Sequence, residues 1–227
     1  MTEKPILFKA EMVKAFLEGR KTMTRRVIKP PAPWVATDEG IDIEVAVGNI
    51  KCPYQVGQRL WVRETWKPHC KLTVDRGWIE YKADGACQIV TYSPDDAYKP
   101  NLLWKSPIFM PRWASRITLE ITNIRVERVQ DITEEDAQAE GFPFVGIGAN
   151  LQWGYRLPLI WFSQLWDSIN AKPKPVYTKV NGKRVIDQYI SYPWEDVHET
   201  REHRGKPWIV CGNPWVFPIE FKRIEEG

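Results

Sequence analysis

The chain has 227 residues and a formal net charge of +3, from 32 basic and 29 acidic side chains, so it can form one large domain but cannot hold long duplex DNA by charge alone. Its four cysteines are far apart, without a CxxC pair, and therefore predict neither a zinc ribbon nor a disulfide scaffold. No stretch approaches the roughly 20 apolar residues that cross a bilayer, so we expect a cytoplasmic protein without membrane partners.

The N-terminal half is predicted to be mainly β structure with one early helix. A strand is expected over residues 5–9, followed by a helix over residues 11–18 that Gly19 ends. Several prolines in residues 29–57 exclude a long regular element there. Three further short strands are indicated by β-branched and aromatic residues, over residues 60–66, 78–82 and 88–92.

The second half begins with the clearest strand signal of the chain. Residues 116–129 alternate apolar and polar side chains until the phase shifts at Asn123, which indicates a bulge or bend. Thr133 is a good N-cap for a short helix that Gly141 closes. A second helix is predicted over residues 158–170, because its apolar residues fall on one stripe.

Residues 172–206 shift in composition toward Lys, Arg, Pro and Glu. Asn181-Gly182 predicts a type I′ β-hairpin there, and the polar run 195–206 indicates a surface insertion. A last strand is expected over residues 215–223, where Pro218 favours an edge or a bulge. Many short strands around about three helices predict an α+β fold, a small closed mixed barrel with helices and hairpins attached.

The densest candidate site is the segment Gly19-Arg20-Lys21-Thr22-Met23-Thr24-Arg25-Arg26. Four of its eight residues are basic, and two carry hydroxyl groups just past the end of the first helix. Such a turn can bind an anion or a polar ligand. Its composition alone, however, favours a solvated basic turn.

Four separated segments of the chain resemble the ASCH group of PUA-like domains. Gly19, Lys21 and Arg26 occupy the defined positions of the family's GxKxxxxR signature. A second segment, residues 56–64, is similar to the family's turn into its next barrel strand. Residues 117–137 are similar to its central strand and the helix that follows, and residues 215–222 to its closing strand. The resemblance implies a single domain over residues 1–227, a PUA-like barrel with insertions near residues 29–56, 65–112 and 172–206.

The resemblance also implies a chemistry. The long form, with residues 109–116 ahead of the central strand, is similar to a branch common in phages and prophages. Small bacterial N(4)-acetylcytidine amidohydrolases of the family use a Lys, a Thr and a helix-end Glu, which fall here on Lys21, Thr24 and Glu140. The implied reaction is removal of an acyl group from the exocyclic amine of a cytosine nucleoside, without a metal or cofactor.

Each of these three residues has more than one possible role. Thr24 can attack the acyl carbon, or Glu140 can activate a water. Lys21 can act as a base if its pKa falls, or stabilise the oxyanion if it stays charged. The structural alternatives are a turn contact for Thr24, an ion pair for Lys21 and an exposed helix end for Glu140.

Secondary candidates for binding a substrate are Arg20, Arg26, Arg63, Glu64, Trp66 and Arg116. Guanidinium groups can contact a phosphate or a base edge and a Trp can stack on a base, but salt bridges and packing explain these residues equally well. The alternative function is a non-catalytic module that binds RNA or a modified nucleotide. The histidines, His69, His198 and His203, lack a metal-ligand spacing.

Overall fold

The computed structural model describes residues 3–29, 52–93, 100, 102–143 and 157–224. The α+β class expected from the sequence is confirmed, with three helices in the described residues: α1 (Ala10–Leu17), α2 (Glu134–Ala139) and α3 (Leu157–Asn170). In this part of the chain, no helix combines the length and apolar character needed to cross a bilayer.

The described ranges also contain thirteen strands. In chain order, β1 to β13 are Lys4–Leu7, Met23–Val27, Arg59–Arg63, Trp66–Lys71, Arg76–Tyr81, Cys87–Thr91, Thr118–Ile124, Glu127–Arg128, Lys174–Val180, Lys183–Ser191, His198–His203, Lys206–Cys211 and Trp215–Ile224. The phase shift predicted at Asn123 corresponds to the interruption between β7 and β8.

The chain divides into two compact units, each assembled from separate segments. The first comprises Met1–Met23, Tyr54–Ile124 and Glu220–Gly227, and the second comprises Thr24–Pro53 and Arg125–Ile219. The signature segment therefore contributes to both units, with Lys21 in the first and Thr24 in the second. Most of the predicted insertion at residues 29–56 lies outside the described residues.

The first unit contains a mixed sheet and the helix α1. β1 pairs with β3 in parallel, and β3 pairs with β7 antiparallel, which sets Leu60 opposite Leu119, both fully buried. The apolar face of α1 turns inward, and the rings of Phe8 and Phe16 lie about 6 Å from that of Phe221. Gly19 has a φ of +76°, which explains why the helix ends there.

The predicted strands at 78–82 and 88–92 belong to a second sheet of the first unit, the antiparallel sheet β4–β5–β6. Its inner face packs Trp66, Ile79 and Tyr81 into one apolar cluster. Its outer face exposes Trp78 and Ile89, which are cross-strand neighbours. Alternation of side chains along the strands produces these two faces.

The second unit packs α2 and α3 against β8 and the first half of β13. Val129, Ala137, Phe162 and Val216 are buried in one apolar cluster. The N-cap prediction is confirmed, since the Asp136 amide donates to Thr133 Oγ1 at 3.1 Å. Pro218 lies inside β13, and its carbonyl, which a proline retains, accepts from the Arg125 amide at 3.1 Å.

A four-stranded sheet of the second unit has the order β11-β12-β10-β9. The type I′ turn is confirmed, because Asn181 and Gly182 have φ angles of +49° and +76°. The polar run 195–206 contains the strand β11, which the composition did not predict. Its backbone pairs antiparallel with β12 while its side chains are almost all exposed, so it forms without an apolar pattern.

Gly212 follows β12 where two backbones approach closely. A Cβ there would overlap the backbone of Glu195 and Val197, whereas a Cβ at Gly205 would meet open space. We expect Gly212→Ala to lower the free energy of unfolding by about 3 kcal/mol, because backbone atoms cannot rotate away. Gly205→Ala, at a φ of +69°, should cost about 1–2 kcal/mol. Equal losses in urea unfolding would contradict this explanation.

Candidate functional site

The Lys21 side chain is buried, so Lys21 is not a solvated turn residue. The amides of Arg20 and Lys21 both bond to the Ala15 carbonyl, at 2.9 and 3.1 Å, so the chain folds back over the end of α1. The Lys21 side chain is 1% exposed, and its Nζ donates to the Met23 carbonyl at 2.7 Å. The same Nζ lies 5.6 Å from the Phe8 ring centroid. Arg20 differs, because it is partly exposed and its Nε donates to Glu18 at 2.9 Å.

In the second unit, Arg25 is surrounded by carboxylates. Its guanidinium lies 2.7 Å from Glu127 Oε1, 2.6 Å from Asp136 Oδ2 and 3.5 Å from Glu140 Oε1. The Arg25 side chain is 1% exposed. Thr24, its neighbour on β2, is also buried, at 2%.

Glu140 is the C-cap residue of α2 and is only 3% exposed. The alternative of an exposed helix-end carboxylate is therefore wrong. Its contact with Arg25 links the end of α2 to β2, the strand that carries Thr24. At 3.5 Å this ion pair is long, whereas Arg25 binds Asp136 and Glu127 at normal hydrogen-bond distances.

A second guanidinium completes the network around Arg25. Arg125 Nη2 donates to Asp136 at 2.6 Å, and its Nε lies 3.6 Å from Glu127. Two cations thus face three carboxylates. The sequence did not predict this network, because Arg25 is about a hundred residues from the acids and only the packing of β8 and α2 beside β2 brings them together.

In the first unit, Arg116 is held between two carboxylates. Its Nε and Nη2 donate to Glu64 at 2.9 and 3.0 Å, and its Nη1 and Nη2 donate to Asp84 at 2.8 and 3.0 Å. Its Cζ stands 3.9 Å from the centroid of the Tyr81 ring. Both edges of the guanidinium are hydrogen-bonded, and one of its faces lies over an aromatic ring. This environment corresponds to the salt-bridge alternative that the sequence left open.

The protonation of these two carboxyl groups is shifted in opposite directions. Glu64 is 1% exposed, and its burial raises the pKa above its usual range although Arg116 acts against this. The hydrogen bond from Arg116 instead lowers the pKa of Asp84, which is closer to the solvent. Of these two carboxylates, Glu64 is therefore the one whose charged form depends more on its ion pair with Arg116.

The remaining predicted residues show mixed environments. Arg63 lies 4.6 Å over the Trp61 ring and donates to the Ile108 carbonyl at 3.2 Å. Trp66 is a core residue, with its ring 5.8 Å from that of Trp113, and its Nε1 has no hydrogen-bond partner in the described structure. Arg26 is partly exposed.

Two histidines each contact an acid, whereas His203 packs against the rings of Tyr189 and Trp208. His69 Nε2 lies 2.6 Å from Glu80, and His198 Nε2 lies 3.0 Å from Asp196. In the residues that the structure describes, no group of three or more His, Cys, Asp or Glu side chains is arranged to hold a metal ion.

Comparison with known proteins gave one similar structure. No family model matches the chain, and no curated protein is similar to it. Among solved structures, the chain is similar to an ASCH domain from Lactobacillus crispatus JV V101, with 12% identity and a TM-score of 0.32. The alignment covers 98% of this chain and 79% of that one. Because this likeness is weak, membership of the ASCH family rests on the motif resemblance and is part of the proposal below.

Proposed function

We propose that the chain is an ASCH-type amidohydrolase that removes an acyl group from the exocyclic amine of a cytosine nucleoside. The reacting groups in this proposal are Lys21, Thr24 and Glu140. The observation that carries it is the position of Glu140, buried at the end of α2 and in contact with β2. Burying a charged side chain costs free energy, so the burial of Glu140 and Lys21 supports a role beyond that of surface charges.

The proposed reaction is a hydrolysis. The Glu140 carboxylate takes a proton from a water molecule, and the resulting hydroxide attacks the acyl carbon. The Lys21 ammonium stabilises the oxyanion that forms, and the protonated Glu140 returns its proton to the amine nitrogen as the C–N bond breaks. The products are the free nucleoside and a carboxylic acid. In the alternative route Thr24 Oγ1 attacks the acyl carbon, its proton passes to the amine nitrogen, and the free amine leaves as the C–N bond breaks; water then hydrolyses the acyl ester.

We assign the other residues by their environments. Arg20 and Arg26 are partly exposed and are proposed to bind the sugar or phosphate of the substrate. Arg63, Glu64, Trp66 and Arg116 are proposed to support the strands that carry them. We also propose that the protein acts in the cytoplasm, which for a phage-encoded chain is the cytoplasm of the host.

The test is hydrolysis of N(4)-acetylcytidine, followed by chromatography of cytidine. We expect wild type to be active in the presence of a chelator, and Lys21→Met and Glu140→Gln to lose at least about 100-fold. Glu135→Gln makes the same charge change at an exposed position of α2 and should stay within about twofold of wild type. Near-ultraviolet circular dichroism checks that each variant is folded. An inert wild type, across several acyl groups, refutes the proposal.

One observation favours the binding-module alternative. Glu140 lies beside Arg25 in a buried ion-pair network, and this network explains the burial of Glu140 without a catalytic role. A module of this kind would retain an acylated nucleoside or an RNA that contains it without turnover. Equilibrium dialysis with N(4)-acetylcytidine and an inert time course would together identify it.

A further inference from the structure

The hairpin β9–β10 is exposed on both faces toward its turn. Every residue from Tyr177 to Val185 is exposed, whereas Tyr189 and Ile190 of β10 are buried at the base of the hairpin. Four residue steps separate Tyr177 from the turn, a length of roughly 14 Å at about 3.4 Å per residue. We call residues 177–186 the ribbon.

Positive charge is concentrated on this hairpin. Residues 174–191 contain four cations and one acid, a net charge of +3, which equals the net charge of the whole chain, so the rest of the chain sums to zero. The cations are Lys174, Lys179, Lys183 and Arg184. In the described structure, Lys179, Lys183 and Arg184 form no ion pair with a carboxylate.

Further cations lie at the base of the hairpin. The pKa of Lys174 is lowered, mainly by burial and secondly by the nearby positive charges of Lys29 and Arg26. Lys174 Nζ donates to Asn170 Oδ1 at 3.0 Å, so it is held in place. The positive stretch therefore begins at the base and continues along the ribbon to the turn.

The cations are distributed over both faces of the ribbon. Lys179 is the register partner of Arg184, so the two share one face, on which Arg184 Cζ lies 4.0 Å over the Tyr177 ring. Lys183 is the partner of Val180 and points to the opposite face. A partner with a flat surface can contact only one face of the ribbon. A partner with a groove between two charged walls can contact both faces.

We propose that the ribbon binds in the major groove of duplex DNA, with Lys179 and Arg184 contacting one phosphate backbone and Lys183 the other. This groove is about 12 Å wide and about 8.5 Å deep and admits a two-stranded ribbon. The ribbon is long enough to reach its floor. The major groove of duplex RNA is too narrow and deep for this.

This inference does not depend on the proposed hydrolysis. The net charge of +3 predicts that the chain as a whole cannot grip a long duplex, and that any contact with nucleic acid is local. The ribbon is such a local contact, because it carries that entire excess of charge.

The test is fluorescence anisotropy of a labelled 20-base-pair DNA duplex, titrated with the full chain at several salt concentrations. Three phosphate contacts predict a log–log salt slope of about −3, an affinity loss of roughly 40-fold from 50 to 200 mM salt. Lys179→Ala should reduce the slope by about one, and the triple variant Lys179→Ala, Lys183→Ala, Arg184→Ala should lose salt-dependent binding.

Arg201→Ala is the matched control, because Arg201 is an exposed cation on β11 at the opposite edge of the same sheet. It should bind the duplex like wild type. Equal binding by wild type and the triple variant overturns the proposal, as does tighter binding to a 20-base-pair RNA duplex or to phosphatidylserine vesicles. Hydrolysis of N(4)-acetylcytidine should be the same in the triple variant and wild type, which separates this inference from the proposed activity.

Discussion

Replacing Arg25 with Met is expected to lower the free energy of unfolding by about 3–5 kcal/mol. The guanidinium is almost wholly buried and faces Glu127, Asp136 and Glu140. Met keeps much of the side-chain volume and removes the charge, so the loss reports the electrostatic contribution. Without Arg25, three carboxylates repel one another, and Arg125, the other guanidinium described in this network, is more exposed.

Urea unfolding followed by tryptophan fluorescence measures this loss. Arg20→Met is the matched control, since it removes a guanidinium from the same segment but from a partly exposed ion pair with Glu18. Its expected effect is about 0–1 kcal/mol. Arg25→Lys should lie between the two, because an ammonium keeps the charge but cannot bridge several carboxylates in one plane. A loss for Arg25→Met that is no larger than that for Arg20→Met contradicts the network.

Arg116→Met is expected to have a similarly large effect, about 3–5 kcal/mol at pH 7, because it leaves the Glu64 carboxylate buried without its partner. This loss should depend on pH. Burial already raises the pKa of Glu64 above its ordinary value of 4.5, and removing the nearby positive charge raises it further.

The sign of the pH dependence follows from proton binding. A carboxyl group whose pKa is higher in the folded state holds its proton more tightly there, so stability falls as pH rises from 4.5 through the folded pKa. The penalty of Arg116→Met should therefore be smaller at pH 4.5 than at pH 7. Adding Glu64→Gln should recover part of the loss at pH 7, because an amide carries no charge. Equal losses at the two pH values would show that packing on Tyr81, not the Glu64 charge, is responsible.

The two ion networks have different consequences for the proposed hydrolysis. Arg25 contacts Glu140, a proposed reacting group, so Arg25→Met should affect turnover as well as stability. Arg116 contacts Glu64 and Asp84 and is proposed only to support its strands. Activity measured on the folded fraction of each variant distinguishes the two networks.

Local sequence determined most secondary-structure elements of this protein. Thr133 predicted the start of α2, Gly19 the end of α1, and Asn181-Gly182 the turn of the hairpin, because caps and turns depend on the conformational preferences of a few adjacent residues. The strand β11 was not predicted, since backbone pairing formed it without an apolar pattern.

The candidate site depended on the tertiary structure. The sequence marked Lys21, Thr24 and Glu140, but could not distinguish a buried Glu140 from an exposed one, because burial depends on what α2 packs against. The contacts of Arg25 and Arg116 join residues far apart in the chain, and no local pattern encodes them. The concentration of positive charge in residues 174–191 was readable from the sequence, whereas the face of the hairpin on which each cation lies depended on the register of β9 with β10.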